Sequence, residues 1–349
     1  MTKVNEAKLN ELVGRVLGDL GGAVSIPLVR IGDSLGLYET LGRIGPATPD
    51  DLASATHCAP RYIREWLSAQ AASGYVNHDK GQFSLSPEQA LVFADAESPV
   101  NLIGAFDTAA AMVENQPKVQ ASFKTGRGVG WGDQAGCMFC AVARLFRPGY
   151  VNALVQDWLP SLNGTIDKLK AGAKVADVGC GHGLSTILMA QAFPKSNFTG
   201  YDFHAASIAA ATAHAKAHDV KNVSFEVGRA QDFAGRGFDL ITCFDCLHDM
   251  GDPAAAARHI RQALKDGGTW MVVEPMAGDA LDDNINPVGR LYYSASTMIC
   301  VPTSLAQETG LALGAQAGEK RLSEVIRSGG FTRVRRAAQT PLNMVLEAT

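Results

Sequence analysis

The sequence predicts an α/β protein in which a Rossmann-like doubly wound sheet with a C-terminal antiparallel hairpin follows a mainly helical winged-helix domain. From Ala173 onward, short apolar runs alternate with helical patterns, which is typical of a parallel sheet covered by helices on both faces. Before that point, apolar residues recur mostly at helical spacing. We therefore expect a winged-helix dimerisation domain at 1–97, a helical linker and substrate-pocket segment at 98–171, and an α/β domain at 172–349.

The first region contains the order of elements found in a winged helix. Thr48 followed by Pro49 is a helix start, because Thr caps orphan N–H groups and Pro suits the first helical position. Two short strands with a turn at Asp79-Lys80-Gly81 follow the last helix. The predicted helices cover 9–20, 26–41, 49–56 and 61–73, and the predicted strands cover 75–78 and 82–85.

The third region alternates regularly between strand and helix. The predicted strands are 174–178, 198–201, 223–227, 238–244 and 269–274, and the predicted helices are 184–193, 205–217 and 254–264. Two further strands, 332–336 and 342–347, are too close together for a helical crossover, so we expect them to pair antiparallel.

Charge and composition limit the partners of this chain. The net charge is −4, which gives no electrostatic reason to bind nucleic acid. Only 19% of the residues are charged, so we expect part of the surface to be covered in a homodimer. The two longest stretches without charged residues have 17 residues each, fewer than the about 20 that span a membrane. With no secretory pattern at the start, we expect a cytoplasmic protein.

Seven cysteines are present, and in a cytoplasm we expect them to be reduced thiols. Cys137 and Cys140 form one C-x-x-C pair, and Cys243 and Cys246 form another. The pairs lie too far apart in the chain for a zinc ribbon, so no metal is expected. Two interpretations stay open: small buried apolar side chains, or a pocket lined by cysteine that holds a soft acceptor.

A glycine-rich turn connects the first predicted strand of the α/β domain to the helix after it. Gly179, Gly181 and Gly183 follow Asp177, and the helix begins near Leu184. Glycines allow a sharp turn and bring a ligand against N–H groups at the helix start, as in nucleotide sites. Position 184 is Leu where a dinucleotide fingerprint has Gly or Ala, which disfavours a nicotinamide cofactor.

Acidic and aromatic residues follow the next two predicted strands. Asp202 comes twenty-one residues after Gly181, where a carboxylate can accept hydrogen bonds from both ribose hydroxyls. Asp232 follows the third predicted strand and could accept a hydrogen bond from the exocyclic amine of a purine. Phe203 or Phe233 could pack against the ring of that purine.

These motifs and the terminal hairpin resemble class I S-adenosylmethionine-dependent methyltransferases, and with the winged-helix region the chain resembles two-domain bacterial small-molecule methyltransferases. The resemblance implies S-adenosyl-L-methionine as methyl donor and S-adenosyl-L-homocysteine as product. The expected donor-binding residues are Asp177, Gly179, Cys180, Gly181, Asp202, Phe203, Asp232, Phe233 and Phe244.

The stretch Leu247-His248-Asp249-Met250 after the fourth strand resembles the Leu-His-Asp-Trp stretch of plant-type O-methyltransferases. The resemblance implies that His248 is the general base and that Glu274 orients it, with Asp249 as a second candidate. A His with a pKa near 6.5 can take the proton that an attacking oxygen or sulfur must lose. Met250 replaces the Trp of that family, and His248 could instead serve only to hydrogen-bond a loop carbonyl.

The expected acceptor is a hydroxyl or thiol of a small molecule. Its pocket is expected from segments outside the strand and helix alternation, where α/β enzymes shape their crevices. The candidate residues are Trp131, Phe146, Tyr150, Arg290, Tyr293 and Met298. Two alternatives stay open: a winged-helix transcription regulator that senses the donor without turnover, and an NAD(P)-dependent oxidoreductase.

Overall fold

The structure, a computed structural model, describes residues 4–136 and 138–349. They form two compact units. The first comprises the residues up to Ala110 together with Arg144–Pro148, and the second comprises Ala111–Ala143 and Gly149–Thr349. The segment 98–171, predicted as one helical linker, is therefore divided between the two units.

The first unit contains the predicted helices and the small hairpin. Its elements are α1 (Glu6–Ser34), α2 (Leu37–Ile44), α3 (Pro49–Thr56), α4 (Pro60–Ala72), β1 (Asn77–Asp79), β2 (Gln82–Ser84) and α5 (Pro87–Phe93). Thr48 and Asp51 form the capping box that begins α3. One helix was expected over 26–41, but Gly36 takes a left-handed conformation at φ 63° and ends that run, so α1 and α2 are separate.

Helix α1 has an exposed apolar face. Its exposed residues include Leu9, Leu12, Val13, Val16, Leu17, Leu20 and Val24. Of the helices in the described part of the chain, α1 is the one that is long and apolar enough to cross a membrane, by length and composition alone. The sequence expectation of no membrane span stays a prediction, and a helix that packs against another protein satisfies the same test.

Helices occupy most of the segment between the winged helix and the sheet. They are α6 (Ile103–Thr125), α7 (Met138–Gly149), a π-helical segment at Tyr150–Trp158 and α8 (Thr165–Ala171). The glycine-rich stretch 126–132 is a loop that leads into a short turn of 3₁₀ helix at Trp131–Asp133.

The second unit is built on a seven-stranded sheet in the order β5-β4-β3-β6-β7-β9-β8. Its strands are β3 (Lys174–Val178), β4 (Asn197–Asp202), β5 (Val223–Val227), β6 (Phe238–Phe244), β7 (Leu264–Pro275), β8 (Val334–Gln339) and β9 (Asn343–Ala348). Strands β3 to β7 are parallel, and β9 pairs antiparallel with both β7 and β8. The predicted doubly wound sheet with a terminal antiparallel hairpin is confirmed.

Helices surround this sheet and connect its strands. They are α9 (Leu184–Ala192), α10 (Ala205–Ala217), α11 (Pro253–Ala263), α12 (Pro287–Ala295), a π-helical turn at Ser296–Cys300, α13 (Val301–Leu305) and α14 (Gly318–Ser328). In β7, Trp270 and Val272 pack in one core cluster, whereas Met271 and Val273 pack in another. Because side chains alternate along a strand, the sheet is buried on both faces, and a ligand is expected at the carboxyl ends of its strands.

Candidate active site

The loop after β3 turns through three glycines in left-handed conformations. Gly179, Gly181 and Gly183 have φ angles of 76°, 51° and 78°. A Cβ at Gly179 would lie 2.6 Å from Sγ of Cys246, and one at Gly183 would lie 2.6 Å from the ring of Phe225. Backbone strain and lack of space thus both require glycine at these two positions.

Asp177 lies beneath this loop and is completely buried. Its Oδ2 accepts hydrogen bonds from Ser185 Oγ at 2.7 Å and Thr186 Oγ1 at 2.6 Å, and its Oδ1 accepts from Thr242 Oγ1 at 3.0 Å. Burial raises the pKa of Asp177, and the hydroxyl donors oppose that shift. The carboxylate thus joins β3, β6 and the first turn of α9, which fixes the shape of the loop.

Asp202 ends β4 and is connected to the same loop. Its Oδ2 accepts from the Gly181 N–H at 3.0 Å, and its Oδ1 accepts from the His204 N–H at 2.9 Å. Burial raises the pKa of Asp202, although these backbone donors favour the ionised form. The carboxylate expected to bind a ribose therefore lies at the carboxyl end of the parallel strands, beside the glycine loop. Phe203, the next residue, is exposed.

Asp232 and Phe233, expected to act together on a purine, have different environments. Asp232 is exposed and accepts a hydrogen bond from Nε of Arg229 at 2.9 Å, which holds the pKa of this carboxyl below its usual value. Phe233 is buried, with its ring centroid 4.8 Å from that of Tyr201 and 4.5 Å from that of His259. Phe233 therefore packs in the core, and Phe203 is the more accessible of the two aromatic candidates.

Cys180 and Phe244 are both buried. Burial, followed by the charges of Asp177 and Asp202, raises the pKa of the Cys180 thiol well above its ordinary value. The ring of Phe244 lies 5.3 Å from that of Tyr150, centroid to centroid. Tyr150, an acceptor candidate, is thus placed at the end of β6.

His248 and Glu274 form a buried pair at the ends of two neighbouring strands. His248 lies in a 3₁₀ turn, Leu247–Asp249, just after β6, and Glu274 lies near the end of β7. Nδ1 of His248 is 2.5 Å from Oε2 of Glu274, while Oε1 of Glu274 accepts from the Leu247 N–H at 2.9 Å. The carboxylate therefore holds both the imidazole ring and the turn that carries it.

Two opposing effects act on the pKa of His248. Burial alone would lower it, because desolvation disfavours the imidazolium form. The Glu274 carboxylate, and after it the Cys300 thiol group, outweigh burial, so the pKa lies well above its ordinary value. His248 therefore holds a proton to a higher pH than a free histidine would.

The other ring nitrogen of His248 faces a residue that sequence reasoning did not place at the site. Nε2 of His248 is 3.3 Å from Sγ of Cys300, which ends the π-helical turn Ser296–Cys300. Cys300 is 52 positions from His248 in the chain and is flanked by apolar residues, so no local pattern marks it.

Asp249, the second candidate for catalysis, neighbours His248 in the same turn. Burial raises its pKa to about 7, the charge of His248 opposes that shift, and the charges of Glu274 and Asp202 add to it. Its carbonyl oxygen accepts a hydrogen bond from Nε2 of Gln307 at 2.9 Å. The pKa of Asp249 therefore lies near neutral pH.

Asp245 is a second acidic residue that the sequence patterns did not single out. It follows β6 in a left-handed conformation, at φ 49°. Its Oδ1 accepts from Nδ2 of Asn343 at 2.7 Å, and burial, followed by the charge of Glu274, raises its pKa well above the ordinary value. Burial and proximity to Glu274 thus favour the neutral form of this carboxyl group.

Two of the acceptor-pocket candidates, Trp131 and Met298, pack against one small apolar cluster that contains Cys300. Trp131 contacts Phe139 at a centroid distance of 5.2 Å, and Phe139 stacks on His204 at 4.7 Å, which places Trp131 near the Asp202 side of the sheet. Met298 packs in a small cluster in the second unit, and Arg290 and Tyr293 are exposed on α12. Phe146 belongs to the first unit.

The two C-x-x-C pairs raise the question of a metal site. In the described residues, no group of three or more His, Cys, Asp or Glu side chains could hold a metal ion, and the expectation of no metal stays a prediction. Cys58, Cys180, Cys243, Cys246 and Cys300 are free thiols. The expectation of reduced thiols throughout is wrong at Cys140, which is disulfide-bonded. Cys137 lies outside the described residues.

Comparison with family models identifies both parts of the chain. Residues 169–330 match the methyltransferase domain family, and residues 22–94 match the Rv2258c-like winged HTH domain. The chain thus contains a methyltransferase domain preceded by a winged-helix domain, as its sequence motifs indicate.

Individual relatives agree with this assignment. A ubiquinone biosynthesis O-methyltransferase of Pseudomonas aeruginosa is 34% identical over 128 residues, which is 35% of this chain and 51% of that protein. The match thus spans about half the length of that curated relative. The solved structure of human N-acetylserotonin methyltransferase in complex with SAM is 15% identical, covers 100% of this chain and 99% of its own, and has a TM-score of 0.69. Mitomycin 7-O-methyltransferase is 19% identical, covers 99% of both chains and has a TM-score of 0.67.

Proposed function

We propose that this protein is an S-adenosylmethionine-dependent methyltransferase that methylates a hydroxyl or thiol of a small molecule, with His248 as general base. The observation that carries the proposal is the buried His248–Glu274 pair, at the same edge of the sheet as the glycine loop and Asp202. The alternatives of a regulator without turnover and of a nicotinamide oxidoreductase have no comparable support.

The glycine loop fits the donor. Gly181 is left-handed, and no described atom lies within 4 Å of the position that a Cβ would take there, so the loop is open on the side where a nucleoside would approach. The Asp202 carboxylate has two oxygens, each with one backbone donor, which leaves capacity for the ribose hydroxyls. Phe203 and Asp232 are the accessible groups for the adenine. When bound, S-adenosylmethionine supplies a sulfonium methyl group.

His248 supplies the proton transfer. Methyl transfer is an in-line displacement, so an acceptor oxygen or sulfur must lose its proton as it attacks, and the unprotonated imidazole can take that proton. Nε2 is the nitrogen available for this step, because Nδ1 is bound to Glu274. Glu274 stabilises the imidazolium that forms and fixes the ring, as the carboxylate does in other acid–base pairs.

The acceptor is held by groups around this pair. Tyr150 lies against Phe244 at the end of β6, and Trp131 contacts Phe139, whose ring stacks on that of His204 after β4. Met298 packs against the same cluster as Trp131, and Arg290 and Tyr293 on α12 are further candidates for contact with the acceptor. An oxygen acceptor is supported by the O-methyltransferase relatives, whereas a thiol needs a weaker base because its pKa is near 8.5.

The exposed face of α1 supports a homodimer. Its apolar residues recur at positions 9, 12, 13, 16, 17, 20 and 24, the spacing of one helix face that packs against another helix. The proposed partners of this chain are a second copy of the chain and the small-molecule acceptor.

Calorimetry and a product assay test the proposal. We expect S-adenosylmethionine and S-adenosylhomocysteine to bind, and Asp202→Ala to weaken both at least about tenfold. Asp239→Asn, at the amino end of β6, is a matched acidic control that should leave binding unchanged. A panel of phenols, thiols and amines with detection of S-adenosylhomocysteine then defines the acceptor. Binding of NADH without binding of either sulfur compound would overturn the proposal.

A further inference from the structure

The Cys300 thiol contacts the buried pair formed by His248 and Glu274. Its Sγ lies 3.3 Å from Nε2 of His248, and Nδ1 of the same ring lies 2.5 Å from Glu274. Three separate elements contribute these groups: the turn after β6, the end of β7, and the π-helical turn that ends at Cys300. A cysteine, a histidine and an orienting carboxylate in series form the arrangement that activates a thiol as a nucleophile.

We propose that Cys300 is a covalent modification site for small soft electrophiles such as alkylating agents, activated by His248 and Glu274. In the reaction the Sγ–H proton passes to Nε2 of His248, sulfur forms a bond to the electrophilic carbon, and the leaving group departs with its electron pair. Glu274 stabilises the imidazolium that results. This inference does not depend on the proposed function.

The other free thiols among the described residues lack this environment. Burial raises the pKa of the Cys180 thiol, and the Cys246 thiol also has a pKa well above the ordinary value because of its hydrogen bond with Cys243. A raised pKa leaves little thiolate, the reactive species. Cys58 is half-buried and contacts the Thr56 carbonyl, so it serves as a reference thiol without a base.

The location of Cys300 also determines the consequence of its modification. Cys300 is 8% exposed, so only small reagents are expected to reach it. An adduct on Sγ would occupy the space beside Nε2 of His248, the nitrogen that faces Cys300. Alkylation at this one residue is therefore expected to block any reaction that needs this nitrogen.

The test is a time course of the purified full chain with limiting iodoacetamide, followed by mass spectrometry of peptides. We expect Cys300 to be alkylated at least about tenfold faster than Cys180, Cys243 and Cys246. A rate at Cys300 no higher than at those three would overturn the proposal, whatever the variants show.

Two variants identify the activating groups. His248→Gln and Glu274→Gln should slow alkylation of Cys300 by about tenfold or more and leave Cys58 unchanged. Unchanged labelling of Cys300 in folded His248→Gln, checked by circular dichroism, would contradict activation by His248. Cys300→Ser should remove the modified peptide and leave that of Cys58.

Discussion

Nδ1 of His248 lies 2.5 Å from Oε2 of Glu274, and both side chains are almost fully buried. A buried carboxylate paired with a histidine fixes the ring and determines which nitrogen can exchange a proton.

Replacement of His248 by Ala should separate binding from turnover. We expect donor affinity to stay within about threefold of the parent while turnover falls by about a hundredfold or more, the usual contribution of general-base catalysis. Calorimetry with S-adenosylhomocysteine and an assay of product release measure the two quantities. Equal losses of affinity and turnover would assign His248 a structural role.

The pH dependence of turnover should reflect the raised pKa of His248. The base acts only when neutral, so kcat/KM should rise with pH and reach its plateau above the ordinary histidine value of 6.5. Glu274→Gln removes the carboxylate that raises this pKa, and the acid limb should then move to lower pH.

Asp249 is the control for this profile, since burial raises its pKa to about 7. Asp249→Asn should leave the acid limb in place if His248 is the group that titrates. If the acid limb of the pH profile moves in Asp249→Asn and stays fixed in Glu274→Gln, Asp249 is the group that titrates.

Asp177 should contribute strongly to stability. Asp177→Ala leaves the buried hydroxyls of Ser185 and Thr186 without their acceptor, at a cost of about 3 kcal/mol in the free energy of unfolding. Asp232→Ala, at an exposed ion pair with Arg229, should change it by less than about 1 kcal/mol. Denaturant unfolding compares the two variants, and similar losses would show that Asp177 has no special role in the fold.

Alanine substitutions at Gly179 and Gly164 should distinguish the cost of backbone strain from the cost of steric crowding. Both are left-handed, at φ 76° and 63°, but a Cβ at Gly164 would meet no described atom within 4 Å, whereas one at Gly179 would meet Cys246. Gly164→Ala should cost about 1 kcal/mol of stability, and Gly179→Ala about 1–3 kcal/mol more with weaker donor binding. Equal effects on unfolding would mean that Cys246 moves away freely.

The apolar face of α1 should control association. Leu17 and Leu20 are 63% and 55% exposed in one copy of the chain, and Leu17→Glu with Leu20→Glu would place charges in the proposed contact. Light scattering should then report a monomer for the double variant and a dimer for the parent. Asp50→Lys, on α3, is a surface control, and a parent that is itself monomeric contradicts the proposal.

Local patterns predicted the fold well. Strand runs, the glycine loop and the Thr48 cap are short-range signals, and they recovered β3, β5 and β6 at their observed bounds. The early start of β7 was missed because Leu264 pairs with Phe238 across an irregularity in the ladder.

The environments of site residues were harder to predict. Asp202 and His248 were recognisable because each belongs to a short motif at or just after the end of a predicted strand. Cys300 and Asp245 were not, because their importance comes from contacts with residues distant in the chain. Phe233 carries the right side chain for stacking, but tertiary packing against Tyr201 places it in the core.

The bond from the Gly181 N–H to Asp202 has a consequence for the kinetics of ligand entry. Because this contact joins two groups of the chain itself, we expect folding alone to hold the turn between β3 and α9 in shape. Association of a nucleoside should then occur in a single step whose rate grows linearly with concentration, without a slow rearrangement afterwards.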